Sequence, residues 1–382
     1  MTAYQRLMKA LNHEEPDQIP LDFGATGVTT INVSGYEHLC QSLGIADTTY
    51  RLLSIAGQFV DVSEPILEKL QVDVRGIRPG PPATWRFEPR EAGNYIEYLD
   101  EWGVVRHKPK NDGLYFDMVA YPMQGELAKN VREYQWPDPK DSGRLIGLRE
   151  RAQKYREHDF PVIVNATIGN GFLQTGNFLR GYENFLCDLA LHPKLVESLL
   201  DKILELKINY WDAVLTELGT LVQIVLEQDD LGTQTGLIIS PKMYRTFIKP
   251  RQKQLFDFIK RKAPGVKIFF HSDGAICPII PDLIEVGVDI LNPIQFSAVE
   301  MDSRRLKREF GQDLVFWGGG IDTQKTLPFG TSNEIRDEVW RQIDDLAPGG
   351  GFVFATVHSI QGDVPPENLR GMWQAFYAHC KY

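Results

Sequence analysis

The sequence predicts a single (β/α)8 barrel, in which eight parallel strands form a closed barrel inside a ring of helices. Over the second half of the chain, apolar strand-like runs alternate with long helical patterns, which is typical of a parallel sheet covered on both faces. These runs are 161–167, 221–228, 266–272, 288–292, 313–319 and 351–357. Shorter runs at 19–24 and 72–80 bring the count to about eight strands, enough to close a barrel. No glycine-rich dinucleotide fingerprint follows any of them, which disfavours a doubly wound sheet.

Residues 80–125 differ in character from the rest of the chain. Apolar and polar positions alternate there between turns, as in an antiparallel meander. We interpret this segment as a small β-rich insertion or lid within one domain that spans residues 1–382. Its aromatic side chains could cover an aromatic substrate, although such residues more often pack a sheet.

Composition and charge exclude some classes of binding partner for this protein. The chain has 382 residues and a formal net charge of −10, so it lacks the basic face that nucleic-acid binding needs. No apolar run approaches the roughly 18 residues of a membrane helix, and the first residues are amphipathic and unlike a signal peptide. The four cysteines have no metal-type spacing, which indicates reduced thiols. We therefore expect a cytoplasmic protein that binds neither nucleic acid nor membrane.

Polar side chains cluster at the predicted strand ends, where a barrel of this type carries its chemistry. The candidates are Asp22, Asn165, Thr167, Glu227, Asp229, Asp230, His271, Asp273, Asn292, Asp322 and His358. Of the eight histidines in the chain, only His271 and His358 come directly at the end of an apolar run.

His271, Asp273 and His358 form a candidate metal site. Two residues apart at an irregular strand end, His271 and Asp273 can converge on one point, and their donor atoms suit zinc. His358 ends the last strand, which should face the same cavity. Three protein ligands with one open position are typical of a catalytic zinc site. The alternative is a hydrogen-bonded His–Asp pair without metal, which would orient an imidazole for acid–base work or satisfy a buried group.

Three carboxylates follow the run 221–228, and four further polar residues are candidates for substrate binding. Glu227, Asp229 and Asp230 could act as a metal ligand, as a general base or as a counter-charge for a cationic substrate. Asp229 or Asp230 could instead cap the next turn. The candidates for substrate binding are Asn165, Gln234, Asn292 and Asp322.

Five segments resemble the superfamily of uroporphyrinogen decarboxylase and its cobalamin-linked methyltransferase relatives. These segments are 6–24, 229–250, 271–295, 316–324 and 349–372. The resemblance covers nearly the whole chain and implies a single (β/α)8 barrel.

The resemblance also distinguishes between branches of the superfamily. True uroporphyrinogen decarboxylases carry an arginine-rich motif near the N-terminus, but this chain has no arginine between Arg6 and Arg51. The methyltransferase branch looks closer. Its zinc enzymes use a His-x-Cys-Gly motif and a later Cys, and Asp273 and His358 stand at those two cysteine positions. The resemblance therefore implies a His/Asp/His set, which is harder and more electrophilic than a thiolate site.

These features predict a methyltransferase that moves a methyl group from a small O- or N-methyl donor to a corrinoid. No corrinoid-binding Asp-x-His-x-x-Gly signature is present, so the corrinoid should arrive on a partner protein. One alternative is a decarboxylase or other lyase of the same barrel that uses His271 and Asp230 as acid–base groups without metal. A second alternative is a ligand-binding member without catalysis. The relatives imply a possible homodimer.

Overall fold

The computed structural model describes residues 1–45, 50–111, 113–125 and 131–382. The strands are β1 Arg51–Ser54, β2 Phe59–Asp61, β3 Arg75–Ile77, β4 Arg90–Ala92, β5 Tyr95–Leu99, β6 Val105–Pro109, β7 Asp117–Ala120, β8 Val162–Asn165, β9 Ile224–Gln228, β10 Lys267–His271, β11 Ile290–Asn292, β12 Val315–Trp317 and β13 Phe352–Val353. The α-helices are α1 Ala3–Leu11, α2 Val33–Leu43, α3 Glu64–Lys69, α4 Leu148–Glu157, α5 Phe172–Arg180, α6 Tyr182–Leu191, α7 Pro193–Leu218, α8 Pro241–Met243, α9 Lys249–Lys262, α10 Ile280–Val286, α11 Ser303–Phe310, α12 Thr326–Phe329, α13 Ser332–Leu346 and α14 Pro366–His379.

A curled parallel sheet forms the centre of the molecule. Its seven strands are hydrogen-bonded in the order β3-β8-β9-β10-β11-β12-β13. The segment around Leu21 joins the two edges of this sheet. Phe354 N donates to Pro20 O, Asp22 N donates to Phe354 O, and Asp73 N donates to Leu21 O, each at 2.9 Å. The run at 19–24 therefore occupies the eighth strand position, and the predicted (β/α)8 barrel is confirmed.

Alternation along the strands divides the core into two layers. The inward layer fills the barrel with Ile224, Leu226, Phe269, Ile290 and Trp317, among others. The outward side chains pack against the surrounding helices in a larger cluster. Because both faces of each strand are buried, most strand residues are apolar. This alternation also decides which polar side chain at a strand end points into the barrel mouth.

Local signals set the ends of several helices. Helix α1 begins at a capping box of Thr2 and Gln5, and α13 begins at a capping box of Thr331 and Glu334. Each box satisfies two backbone N–H groups that the first helical turn leaves without partners. None of the helices in the described ranges has both the length and the apolar character needed to span a bilayer.

The insertion forms a four-stranded antiparallel sheet in the order β4-β5-β6-β7. The meander expected within residues 80–125 is thus present, apart from residue 112, which lies outside the described residues. The segment that follows the sheet is tied to α5. Met123 N donates to Leu179 O at 2.9 Å, and Arg180 Nη1 donates to Met123 O at 2.6 Å. Its action as a lid stays a prediction.

Candidate metal centre

His271 ends β10 with its side chain in the barrel mouth. A neighbouring side chain determines which ring nitrogen carries the proton. His271 pairs in register with Asn292 on β11. The amide Nδ2 of Asn292 donates to Trp317 O at 2.8 Å, so its Oδ1 is the atom that faces His271. His271 Nδ1 donates to this oxygen at 2.6 Å. The proton of the neutral ring therefore lies on Nδ1, and Nε2 presents its lone pair to the mouth.

His358 follows β13 and is oriented in the same way. Ser359 Oγ donates to Gly27 O at 3.3 Å, so its lone pairs are free to accept from His358 Nδ1 at 3.1 Å. Burial lowers the pKa of His358, the largest influence on the ring, and this favours neutral imidazole. His358 therefore also turns an unprotonated Nε2 toward the mouth.

Asp273 lies between the two imidazoles. Its Oδ2 is 3.8 Å from His271 Nε2 and 3.6 Å from His358 Nε2. These separations exceed those of ordinary hydrogen bonds. One candidate ligand atom from each of the three residues lies within 4.8 Å of the others. The structure therefore brings together all three residues that the sequence suggested as metal ligands.

The donor atoms fit a borderline divalent cation. Two imidazole lone pairs and a carboxylate face one point, and no hydrogen-bond donor of this trio lies between them. Ligand atoms around a tetrahedral zinc ion lie about 3.3 to 3.5 Å apart, so the three side chains would draw closer together around a bound ion. Asn292 and Ser359 supply the hydrogen bonds to Nδ1 that metal-binding histidines commonly make.

Asp230 is the fourth polar group at this point. Its Oδ1 lies 3.7 Å from His271 Nε2 and accepts from Asp273 N at 3.2 Å. Its other oxygen accepts from Gln174 Nε2. Burial is the largest influence and raises the pKa of Asp230; nearby His271 lowers it and Asp273 raises it. Asp230 is thus placed either to complete the ligand set or to donate a proton.

Asp229 is next to Asp230 in sequence but faces away from the centre. Its carboxylate accepts from the backbone N–H groups of Leu173 and Gln174, both at 2.9 Å, and so caps the first turn of α5. Burial raises the pKa of Asp229 to about 7, against the opposing effect of these two N–H groups. A Cβ on Gly171 would lie 2.1 Å from this carboxyl group, so the close approach requires glycine there.

Glu227 lies on the outer face of β9 and is not brought to the mouth. Its oxygens accept from Lys207 Nζ at 2.8 Å and from Trp211 Nε1 at 2.6 Å, both on α7. All of these groups are buried. Glu227 therefore joins a strand to a helix, at a distance from the two histidines.

The four candidates for substrate binding have different surroundings. Asn165 donates to the backbone oxygens of Ala25 and Ile77, and Asn292 orients His271 as described above. Asp322 and Gln234 border a pocket of about 480 Å³, although Asp322 also accepts from backbone N–H groups of its own turn. The pocket is lined by Gly232, Thr233, Gln234, Asp273, Gly274, Gln295, Ser297, Asp322, Thr323, Gln324, Val357, His358, Ser359 and Gln361. It opens directly onto Asp273 and His358.

A protein-family model matches most of this chain. The model described as Uroporphyrinogen decarboxylase (URO-D) matches residues 127–379, about two thirds of the sequence. The chain belongs to the URO-D family. The resemblance noted in the sequence is thereby confirmed at the level of the family.

Curated URO-D relatives are distant in sequence. The uroporphyrinogen decarboxylase of Psychromonas ingrahamii is 27% identical over 180 residues, 46% of each chain. That of Alkalilimnicola ehrlichii is 24% identical over 259 residues, 65% of this chain and 66% of the relative. The chain spans about half the length of the first curated relatives that it matches.

A solved structure has a similar fold over nearly the whole chain. A methyltransferase from Methanosarcina mazei aligns with 99% of each chain at a TM-score of 0.64, with 18% sequence identity. At this identity the similarity shows the fold alone.

The sequence did not point to two residues that support this site. Ser359 places the proton of His358, and its position directly after that histidine was the only local signal. Gln295 accepts from Gly274 N at 2.7 Å. Gly274 has φ of 89°, and a Cβ there would lie 2.5 Å from the carbonyl carbon of Gly232. The turn that carries Asp273 is therefore held by close backbone packing that no sequence motif announces.

Proposed function

We propose that this chain is a metal-dependent methyltransferase that moves a methyl group from a small O- or N-methyl donor to the corrinoid of a partner protein. The observation that carries this proposal is the convergence of two unprotonated imidazole nitrogens and a carboxylate beside an open pocket. Such a donor set suits zinc. The methyltransferase of similar fold from Methanosarcina mazei supports methyl transfer as the reaction class.

The residues of the centre have separate tasks in this proposal. His271, Asp273 and His358 would hold the cation, which supplies Lewis-acid polarisation of the donor's C–O or C–N bond. Asn292 and Ser359 keep the two Nε2 atoms unprotonated. A reduced corrinoid on the partner would supply the nucleophile that accepts the methyl group, and the donor's oxygen or nitrogen would keep the electron pair of the broken bond. Asp230, whose pKa is raised, supplies the proton that this atom takes up.

A second candidate is a metal-free decarboxylase or other lyase. The curated relatives named uroporphyrinogen decarboxylase favour it, as does the approach of Asp230 Oδ1 to His271 Nε2 at 3.7 Å. In that reaction Asp230 and His271 would act as acid–base groups. The absence of arginine between Arg6 and Arg51 speaks against a substrate with as many carboxylates as uroporphyrinogen.

Metal content separates the two candidates. Protein purified without chelator would be analysed for zinc beside His271→Ala and His358→Ala. His379→Ala is the matched control, since His379 also faces a carboxylate, Asp344, at 2.8 Å but lies on the outer helix α14. We expect about one zinc per chain in the wild type and the control, as for a three-ligand site. Both mouth variants should lose it and keep the circular dichroism spectrum of the fold.

The same samples would be tested for methyl transfer to reduced cobalamin from a panel of methyl ethers and methylamines. Transfer that requires zinc and both histidines would support the proposal. Wild-type protein that holds no metal, even after zinc is added back, would contradict it and favour the acid–base lyase.

A further inference from the structure

Arg78 is a half-buried cation at the barrel mouth. It follows β3 directly, and among the described residues its guanidinium has no hydrogen bond or ion pair. Other buried arginines nearby are paired. Arg75 donates to Glu64 at 2.6 Å, and Arg144 donates to Glu101 at 2.5 Å. Arg78 is therefore an exception within its own neighbourhood.

The acidic groups that influence Arg78 do so from a distance. Burial lowers the pKa of its guanidinium, the largest effect, and Tyr210, Glu101 and Asp61 offset this only through space. Glu101 is occupied by Arg144, and Asp61 faces Arg51 at 3.9 Å. A partly desolvated charge without a partner is unfavourable, so the site would be stabilised by an anion.

Arg78 belongs to the same mouth as the candidate metal centre. A Cβ on Gly27 would lie 3.9 Å from Arg78 Nη1, and Gly27 O accepts from Ser359, which orients His358. Around the barrel, β3 and β13 are separated only by the segment at Leu21. Neighbouring strands lie about 4.8 Å apart, so the ends of β3 and β13 are separated by about 10 Å across the mouth. A small molecule can span that distance.

We infer that Arg78 binds a carboxylate of the methyl donor, which makes the donor a small carboxylic acid that also carries an O- or N-methyl group. This inference rests on the proposed function. The carboxylate would pair with the planar guanidinium, while the methyl-bearing atom lies at His271, Asp273 and His358. A single unpartnered guanidinium matches one negative charge, which favours a carboxylate over a phosphate.

Paired ligands test the inference. Methoxyacetate and 2-, 3- and 4-methoxybenzoate would each be compared with the corresponding neutral amide by isothermal titration calorimetry. The proteins are the zinc-supplemented wild type, Arg78→Gln, Arg78→Lys and the control Arg86→Gln, whose arginine is exposed on the insertion. We expect at least one acid to bind the wild type and the control about 10- to 100-fold more tightly than its amide. This preference should disappear in Arg78→Gln and be reduced in Arg78→Lys.

Two results would overturn the inference. In the first, the wild type binds no acid more tightly than its amide, or binds none of the ligands at all. In the second, the preference for the acid survives in Arg78→Gln. Zinc content of the same samples separates this inference from the proposed function. A preference that depends on Arg78 in protein that holds no zinc would support the carboxylate subsite and contradict the metal-dependent reaction. Bound zinc without such a preference would do the reverse.

Discussion

At the scale of single residues, proton placement determines what the centre can bind. Asn292 is anchored through Trp317 O, and this fixes the direction of its amide and thereby the tautomer of His271. Ser359 does the same for His358 through Gly27 O. The two hydrogen-bonded chains end at His271 and His358, whose Nε2 atoms both face the carboxylate of Asp273. The affinity for a cation should therefore depend on residues that never touch it.

Asn292→Leu tests this dependence. Without an acceptor for Nδ1, His271 can adopt the other tautomer, and we expect zinc affinity to fall about 10- to 100-fold. The measurement is competition with a chelating dye. Asn292→Asp keeps an acceptor for the Nδ1 proton and should bind zinc at least as tightly as the wild type, even if Asn292→Leu folds poorly.

Asn165→Leu is the matched control, because Asn165 is also a buried asparagine at a strand end, but its amide donates to two backbone oxygens. It should change stability and leave zinc affinity nearly unaltered. Equal loss of zinc affinity in Asn165→Leu and Asn292→Leu would show that general disruption, and not the tautomer, is responsible.

The three candidate ligands could be predicted from sequence because each lies at or next to the end of an apolar strand, where local pattern fixes location. The role of Asn292 could not be predicted in this way. Its function depends on which way its amide faces, and that is set by Trp317 O on a strand that the sequence places 25 residues later. Arg78 could not be predicted either, because nothing local in the sequence shows whether an arginine at a strand end is paired.

At the scale of elements, β9 shows how one residue of register changes a role. Leu226 points into the barrel, so Glu227 points outward to α7, where Lys207 and Trp211 meet it. Asp229 lies beyond the strand and caps α5, and Asp230 alone reaches the histidines. The sequence presents these carboxylates as one group. Side chains alternate between the two faces of a strand, so the three carboxylates can be assigned to different faces only once the end of the strand is known.

Glu227→Gln should therefore act on stability. Removing the charge leaves Lys207 buried without a counter-ion, and we expect a loss of about 3 to 5 kcal/mol in the free energy of unfolding, measured with urea. The double variant Lys207→Met with Glu227→Gln should regain part of this loss, because no uncompensated charge remains. Zinc content of the folded protein should stay unchanged in both. Loss of zinc at unaltered stability would instead place Glu227 in the metal centre.

At the scale of the whole molecule, α5 connects the insertion to the centre. Its first turn is capped by Asp229 and carries Gln174, which donates to Asp230. Its last turn binds the segment after the antiparallel sheet through Leu179 and Arg180. The barrel strands are almost fully buried, whereas the strands of the insertion are largely half-exposed. The molecule thus combines a well-packed barrel with a less protected sheet, and both are attached to one short helix.

This arrangement predicts a graded response in hydrogen exchange. Amides of β5 and β6 should exchange at least about tenfold faster than those of β9 and β10, because exposed sheets open at lower free energy than a buried core. If the insertion acts as a lid, adding zinc and a bound donor should slow exchange in α5 and in β5 and β6 together, since α5 joins Asp230 to the segment behind the sheet. Helices α13 and α14, which pack against each other, provide an internal control that should not change. Protection confined to α5, with β5 and β6 unaltered, would mean that the insertion does not close over the mouth.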